Sequence, residues 1–344
     1  MSKSAPTAAA WGLLCLRFVQ GWIYWGGGSR RFIYAPAKLD AWSGGHWMAY
    51  KFQTAMPGAL FGLDHVVSYM LQHFVLLYAG VILFSLFELV VGLLLILGWW
   101  TRLAALGSLG LSVVLMLLFG WQGATCIDEW TMAACNFAMG MALFFAGSGA
   151  YAMDAWWRHK HPGLSANRGL DFCLGDRELP LRDAALQRLG LAAVLLTVIF
   201  VVGTYDHYRG SVYSAFHPGP VSPTRHHWSL QEGRLEADGR VSFHAYVDAG
   251  TPEAPSQVLR VRLLDARGQA VETWDGAQLA QLPRQAYVND YAYQKIHDGA
   301  FGITGPVGAK ARIFLPAQVP VPPGRYRLCL DAVDGQVWSM AVQR

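Results

Sequence analysis

The residues best suited to chemistry in this sequence include a cluster of basic side chains. Arg30, Arg31, Lys38 and Lys51 follow closely on the glycine run 26–28. Arginine binds oxyanions through a planar fork of N–H donors, and glycines let backbone N–H groups approach an anion closely. We therefore predict an anion-binding site in this stretch. Contact with lipid headgroups is the alternative interpretation.

A second stretch, 124–130, combines one thiol with two carboxylates: Cys126, Asp128 and Glu129. A thiolate is a strong nucleophile toward sulfur, and nearby arginines would favour it. Either carboxylate could transfer protons. We predict that all three residues are catalytic, although Cys126 could instead be a small buried residue.

Two ionisable residues, Arg17 and Glu88, fall inside apolar segments. At about 1.5 Å per residue, Arg17 lies roughly 12 Å and Glu88 roughly 15 Å from the inner ends of their helices. Charges at such depths in a bilayer require partners, so we predict that the two side chains pair. The pair is either structural or part of a proton path.

The histidines and the five cysteines show no metal-ligand spacing, no CxxC pair and no CxxCH haem motif. No flavin or nucleotide motif is evident either. We predict that the protein binds no metal, haem or flavin. The net charge of +4 is small and dispersed, which argues against nucleic acid as a partner.

The elements that must position these residues are membrane helices. Hydrophobic residues make up 53% of the chain and charged residues only 15%, whereas soluble domains carry about 25% charge. A spanning helix needs about 20 mostly apolar residues. The sequence predicts five such helices, at 8–26, 68–97, 101–121, 130–150 and 189–204.

Basic residues are concentrated in the segments between helices two and three and between helices four and five, which predicts that these segments are cytoplasmic. The N-terminus is then cytoplasmic and everything after Tyr205 is periplasmic, in a multi-pass protein of the inner (plasma) membrane. The predicted parts are a four-helix domain (1–157) with a long outer loop (27–67), a cytoplasmic linker (158–187), a fifth helix (188–204) and an outer domain (205–344).

The outer domain has alternating hydrophobicity with a period of two, which predicts β-strands. The expected strands are 241–248, 257–265, 269–274, 311–315, 325–331 and 336–342, and Asp334-Gly335 marks a hairpin turn. Short strands at this spacing favour a sandwich. The predicted fold is therefore an α-helical membrane bundle of four plus one helices, followed by an all-β sandwich-like domain.

Several segments of this sequence resemble those of a known family of membrane proteins. The segment Phe87-Glu88-Leu89-Val90-Val91-Gly92, continuing to Arg102, resembles the DoxX-like membrane proteins, as does Leu16-Arg17-Phe18. The glycine–arginine stretch from Gly26 to Phe32, Lys38-Leu39-Asp40 and residues 123–140 are similar to DoxD. The chain after about residue 185 is similar to DoxA. DoxD and DoxA are the two subunits of thiosulfate–quinone oxidoreductase, here in one chain.

The resemblance implies that thiosulfate is oxidised to tetrathionate and that electrons pass to a membrane quinone. Thiosulfate would bind the basic stretch, and Cys126 could act as a thiol relay. Asp128, Glu129 or Glu88 could protonate the reduced quinone, and we assign Glu88, Arg17 and Trp130 to the quinone and proton path. The sequence leaves homo-oligomer formation open.

Two other functions are compatible with the sequence. One is a DoxX-like accessory or assembly protein whose β-domain binds a partner. The other is a transporter for a sulfur oxyanion, although five helices without internal repeats do not favour it.

Overall fold

The computed structural model describes residues 8–123, 129–163, 167–211, 219–317, 321–322 and 324–343. The chain divides into two compact units. The helical unit comprises Met1–Trp47, Tyr78–Gly120 and Thr125–His207, and the sheet unit comprises Met48–Leu77, Trp121–Ala124 and Tyr208–Arg344. Each unit therefore draws on segments that are distant in sequence.

The helices, in chain order, are α1 (Ala8–Ile33), α2 (Met48–Ala55), α3 (Leu63–Gln72), α4 (Phe74–Leu97), α5 (Thr101–Phe119), α6 (Glu129–Ala146), α7 (Met153–Lys160), α8 (Arg168–Cys173), α9 (Asp183–Arg209) and α10 (Gly276–Leu279). Short 3-10 turns lie at Pro36–Lys38, Gly44–His46, Met56–Gly58 and Arg284–Ala286.

Among the described residues, α4, α5 and α9 are long and apolar enough to cross a membrane. On α9, Leu191, Leu196 and Ile199 are 73%, 66% and 60% exposed within the protein itself. Apolar side chains left exposed in a continuous band require a lipid environment. The chain is therefore a membrane protein.

The other two predicted spans are also helices, but each is more polar. Helix α1 includes Arg17 and Gln20 in addition to its terminal arginines, and α6 includes Glu129 and Asn136. Because of this composition, neither α1 nor α6 is among the helices that are long and apolar enough to cross a membrane. The number of crossings therefore remains a prediction.

Several helix boundaries differ from those predicted; α9, for example, covers Asp183–Arg209 instead of 188–204. The predicted helix 68–97 is interrupted at His73, whose backbone angles (φ −121°, ψ 89°) are not helical. The preceding helix, α3, belongs to the sheet unit. Helix α1 continues past its predicted end at residue 26 as far as Ile33, so the glycine run lies inside the helix.

Glycines bring α1 and α4 into close contact. A Cβ atom at Gly21 would lie 2.8 Å from the carbonyl oxygen of Gly92, and one at Gly28 would lie 2.8 Å from the Cβ atom of Leu89. Small residues of this kind let helix backbones approach one another in membranes. The pairs also show that the two helices are antiparallel, which fixes the position of each residue of α1 along α4.

The strands are β1 (His227–Leu235), β2 (Val241–Ala249), β3 (Ser256–Leu264), β4 (Ala270–Trp274), β5 (Tyr287–Asn289), β6 (His297–Gly299), β7 (Gly302–Gly305), β8 (Lys310–Leu315), β9 (Arg325–Ala332) and β10 (Val337–Gln343). They form one sheet in the order β5-β8-β2-β1-β10-β9-β3-β7-β6, with β4 also paired to β3. Six strands agree with the predicted ones within one or two residues.

The sheet curls into a nearly closed, barrel-like shape instead of the predicted sandwich of two sheets. Its two halves are joined by a single parallel pair, Arg234 with Gln343. Trp228 of β1 donates from Nε1 to Ser256 Oγ at 2.8 Å, and Trp274 of β4 donates to the carbonyl oxygen of Pro316 at 2.9 Å. Both bonds connect residues of opposite halves, so the curled sheet encloses its own apolar core.

Helix α2 is fastened to the β-strand region by the fully buried side chain of Gln53. Its Nε2 atom donates to the carbonyl oxygens of Gln294 and Gly308, both at 2.9 Å, and its Oε1 atom accepts from Gln294 N at 2.9 Å. Ser68 and Tyr291 add a hydroxyl–hydroxyl contact at 2.7 Å. The predicted outer loop (27–67) is thus partly an integral piece of the sheet unit.

We expect Gln53→Leu to destabilise the sheet unit. The substitution leaves the buried carbonyl oxygen of Gly308 and the half-buried backbone groups of Gln294 without this partner, at a cost of about 1–3 kcal/mol for each buried group. The midpoint of thermal unfolding in detergent should fall. Gln231→Leu is the matched control because Gln231 is exposed on β1. Equal melting of the two variants would contradict this role for Gln53.

Candidate functional site

The helical unit contains a half-buried ion pair between Arg31 and Glu88. Arg31 is near the C-terminal end of α1, and its Nη1 atom donates to Glu88 Oε2 of α4. The same nitrogen lies 3.4 Å from Ser85 Oγ, and the guanidinium is 5.9 Å from the centre of the Phe84 ring. The two side chains are only 16% and 12% exposed, so the pair is largely shielded from solvent.

The predicted pairing of Arg17 with Glu88 is wrong. Arg17 is 1% exposed and donates from Nη2 to the carbonyl oxygen of Tyr151 at 2.6 Å. In the antiparallel contact Gly27 lies against Glu88, whereas Arg17 lies against Gly98. Ten residues of helix separate Gly27 from Arg17, which amounts to about 15 Å. Helix α1 begins beyond the inner end of α4. Similar distances from the inner ends of the two helices therefore do not correspond to similar depths, and Arg17 does not lie level with Glu88.

The glycine run does not form the predicted anion-binding backbone. Residues 26–28 lie within α1, where backbone N–H groups donate along the helix. Gly27 and Gly28 instead make room for Glu88 and Leu89 of the neighbouring helix. The run therefore positions the carboxylate of the ion pair.

The predicted basic cluster is divided between the two units. Arg30 is exposed next to Arg31 at the end of α1, and Lys38 is half-buried in the 3-10 turn that follows. Lys51 is exposed on α2, which belongs to the sheet unit. The helical unit by itself thus brings together the two arginines.

Of the predicted catalytic residues, Cys126 and Asp128 lie outside the described residues. Glu129 is the first residue of α6 and is half-buried. The adjacent Trp130 is 7% exposed, donates from Nε1 to Thr204 Oγ1 at 3.1 Å, and packs against the ring of Tyr205. Trp130 therefore joins α6 to α9, and a contact with quinone remains a prediction.

Sequence reasoning missed a buried carboxylate, Asp154, at the other end of the helices. It is fully buried and accepts hydrogen bonds from the backbone N–H groups of Trp100, Thr101 and Gly175, at 2.7, 3.1 and 2.8 Å. Burial raises its pKa, although these N–H groups act in the opposite direction. Helix α5 begins after Trp100, and the side chain at that position does not cap the first N–H groups of the helix. Those N–H groups need an acceptor from elsewhere in the chain, and this need is the signal in the sequence that points to a residue such as Asp154.

Arg102 is a second buried ion at this end. Its guanidinium donates to the carbonyl oxygens of Leu174 at 2.6 Å and Phe144 at 3.3 Å, and also to that of Arg177. Two of these acceptors belong to the segment predicted as a linker. Arg158 adds ion pairs with Asp171 and Asp176, at 2.6 and 2.7 Å. The segment is therefore folded against the helices.

Two histidines on the strands of the sheet unit pair with carboxylates. His227 Nδ1 lies 2.6 Å from Asp248 Oδ1, and His244 Nε2 lies 3.1 Å from Asp290 Oδ1. Within the described ranges, no three His, Cys, Asp or Glu residues come together as metal ligands. The described cysteines Cys15, Cys135, Cys173 and Cys329 are free thiols.

Comparison with known families assigns both parts of the chain. The family model described as TQO small subunit DoxD matches residues 12–181, and the one described as TQO small subunit DoxA matches residues 208–341. TQO denotes thiosulfate–quinone oxidoreductase. No solved structure matches the chain significantly.

We expect Asp154→Asn to lower the melting temperature of the protein. An amide in this position turns one acceptor into a donor that faces backbone N–H groups, which costs about 1–3 kcal/mol. Thermal unfolding in detergent measures the effect. Glu178→Gln removes the same charge from an exposed position of the same unit and should have little effect. Equal destabilisation by both substitutions would show that the loss of a negative charge, and not the loss of these hydrogen bonds, lowers the melting temperature.

Proposed function

The chain belongs to the DoxD and DoxA families of thiosulfate–quinone oxidoreductase small subunits, joined in one polypeptide, and on that premise we propose that it oxidises thiosulfate to tetrathionate and reduces a membrane quinone. The presence of both family regions in a single chain is the observation that carries the proposal. The membrane helices support it, because a quinone is soluble in lipid.

The proposed reaction sets two requirements. Two thiosulfate dianions lose one electron each and form a sulfur–sulfur bond, and the quinone takes up the two electrons and two protons. The protein must therefore reduce the repulsion between two dianions and supply protons to the quinone. Preplaced cationic donors meet the first requirement, and a carboxyl group with access to protons meets the second.

The end of α1 offers groups for both requirements. Arg30 is exposed and can bind a dianion through its guanidinium fork. Arg31 is bonded to Glu88, so the anion site and a carboxylate are directly connected. We assign Arg30 and Arg31 to thiosulfate binding, with Lys38 of the same unit as a further cationic group. Glu88 would hold the proton destined for the quinone, and Glu129 and Asp128 are further candidates.

The Arg31–Glu88 pair also fits the proposed quinone. It lies between helices, beside the aromatic ring of Phe84 and the hydroxyl of Ser85. A quinone ring has an apolar face and polar oxygens, which such mixed surroundings can accommodate. In this assignment Ser85 and Arg31 would donate to an oxygen of the quinone, and Phe84 would contact its ring.

We propose that the helices cross the membrane five times, with the sheet unit on the periplasmic side. Residues 48–77, 121–123 and 219–343 belong to one compact unit. Because a folded unit of this kind lies on one side of a bilayer, the C-terminal ends of α1, α5 and α9 then face the same side. The basic residues near the opposite ends, among them Arg102, Arg158 and Lys160, favour the cytoplasm for that side.

We expect Arg30→Ala to raise the KM for thiosulfate about tenfold or more. A hydrogen bond to a charged group contributes about 1.5–3 kcal/mol, and 1.4 kcal/mol corresponds to a factor of ten. The assay follows quinone absorbance and tetrathionate together with purified protein. Arg182→Ala, which removes an exposed arginine from the other end of the helices, is the matched control. An unchanged KM in Arg30→Ala would contradict the assignment.

Cys126→Ala distinguishes two ways of forming tetrathionate. With a thiol relay, the substitution should lower kcat at least a hundredfold and leave quinone binding intact. With direct electron transfer from thiosulfate to quinone, kcat should change little. Full activity in both Cys126→Ala and Arg31→Ala would overturn the proposed site as a whole.

A further inference from the structure

A continuous row of buried polar side chains lies between three apolar helices of the helical unit. We call it the polar seam and define it as Gln20 and Tyr24 of α1, Ser108 and Ser112 of α5, and Asn136 of α6. Each of these residues is 2% exposed or less. Buried polar groups are costly in a membrane and commonly mark functional sites.

The seam is hydrogen-bonded from Gln20 to Ser112, and Asn136 joins it through its backbone carbonyl oxygen, while its side-chain amide donates to the carbonyl oxygen of Met132. Gln20 Nε2 donates to Ser108 Oγ at 2.6 Å and to the carbonyl oxygen of Asn136 at 2.7 Å. The Tyr24 hydroxyl lies 3.1 Å from Ser112 Oγ, and Ser108 Oγ donates to it at 3.3 Å. Hydroxyl groups both donate and accept, so a row of them can pass a proton along by rotation.

Two acceptors in the seam are left over. Gln20 Oε1 and Asn136 Oδ1 are buried and have no hydrogen-bond donor among the described residues. Each of these oxygens can accept a hydrogen bond from a water molecule. Carbonyl oxygens in this situation attract donors such as water or hydronium.

The seam leads towards the ion pair in one direction. Gly27, one turn beyond Tyr24 on α1, lies against the Glu88 carboxylate. Arg31, a further turn along, holds the same carboxylate. The seam therefore ends about one helical turn from the group to which we assign the quinone's proton.

In the other direction the seam leads towards the buried cluster at the opposite end of the helices. Arg17 lies one turn before Gln20, and its Nε and Nη1 atoms are buried without an acceptor among the described residues. Arg17 packs against Gly98, whose carbonyl oxygen accepts a hydrogen bond from the backbone N–H of Asp154 at 3.0 Å. Residues 17, 20, 24, 27 and 31 recur at helical spacing over about 21 Å, which is most of a bilayer's apolar thickness.

We propose that the polar seam is a proton route that carries protons from the side of Asp154 to Glu88 for the reduction of quinone. This inference rests on the proposed function. Electrons then come from thiosulfate on the side of Arg30, whereas the two protons taken up with them come from the opposite side. Each turnover would therefore separate charge across the membrane.

The test uses the full-length protein in vesicles that contain quinone and a trapped pH dye. Thiosulfate added only outside selects the molecules whose thiosulfate site faces outwards. We expect the interior to become alkaline by two protons for each tetrathionate. Tyr24→Phe and Ser112→Ala, which each remove one hydroxyl, should slow turnover and internal proton uptake together, at least tenfold.

Tyr151→Phe is the matched control, because it removes a hydroxyl from an exposed tyrosine of the same unit. If Tyr24→Phe melts at the same temperature as the wild-type protein, its slower turnover reflects slower proton transfer and not a loss of folding. Ser112→Thr keeps the hydroxyl and should restore activity. Uptake of protons from the outer solution, or wild-type turnover in Tyr24→Phe, would overturn the route.

A second measurement does not depend on thiosulfate. A jump of the internal pH should change the infrared carboxyl absorption of Glu88, identified by its loss in Glu88→Gln, several times faster in wild-type protein than in Tyr24→Phe. Protonation of Glu88 that depends on Tyr24, without any thiosulfate turnover, would reject the proposed function and retain the route. Turnover without dependence on Tyr24 in either measurement would retain the function and reject the route. Failure of both readouts would reject both.

Discussion

The close approach of α1 and α4 determines where the charged groups of the helical unit lie. Gly21 packs against Gly92, and Gly28 packs against Leu89, at distances that leave no room for a Cβ atom. This contact fixes the relative position of two antiparallel helices. It places Glu88 within reach of Arg31 and leaves Arg17 beside Gly98. A side chain at either glycine would separate the helices, and both the ion pair and the row of polar residues along α1 depend on that contact.

A second constraint joins the two family regions. Residues 48–77 lie in the region that matches DoxD, yet they fold with the strands that match DoxA. Gln53 makes this connection through three hydrogen bonds to Gln294 and Gly308. Gly308 has a φ of +86°, and its lack of a side chain gives the Gln53 backbone room. The sheet unit therefore needs residues from both regions, so the two halves of the chain are not independent modules.

The sequence predicted elements well where one local pattern decides the structure. Strand β8 alternates strictly between buried and half-buried positions, and its boundaries were predicted closely. Strand β1 was missed because a bulge near Glu232, whose φ is +52°, breaks that alternation. The curl of the sheet also escaped prediction, because it depends on contacts such as that of Trp274 with Pro316, 42 residues apart.

The candidate site was harder to predict than the fold for a related reason. Residue types identified Arg30, Arg31 and Glu88 as candidates, but their pairing depends on how two helices are shifted along each other. That shift is set by glycine contacts whose partners are about 70 residues distant in sequence. Asp154 escaped notice because its role is defined by three backbone N–H groups from two other segments. No local pattern contains that information.

The Arg31–Glu88 pair gives a physical reason for coupling the two halves of the proposed reaction. A dianion bound beside Arg30 also attracts Arg31, and so competes with Glu88 for the same guanidinium. A half-buried carboxylate that loses its cationic partner is poorly stabilised as an anion, and it becomes a good acceptor for a proton arriving through the seam. Binding of thiosulfate would thus favour the transfer of a proton to Glu88, and the quinone requires this proton. Electron and proton delivery would then be linked by one side chain, without any large movement of the helices.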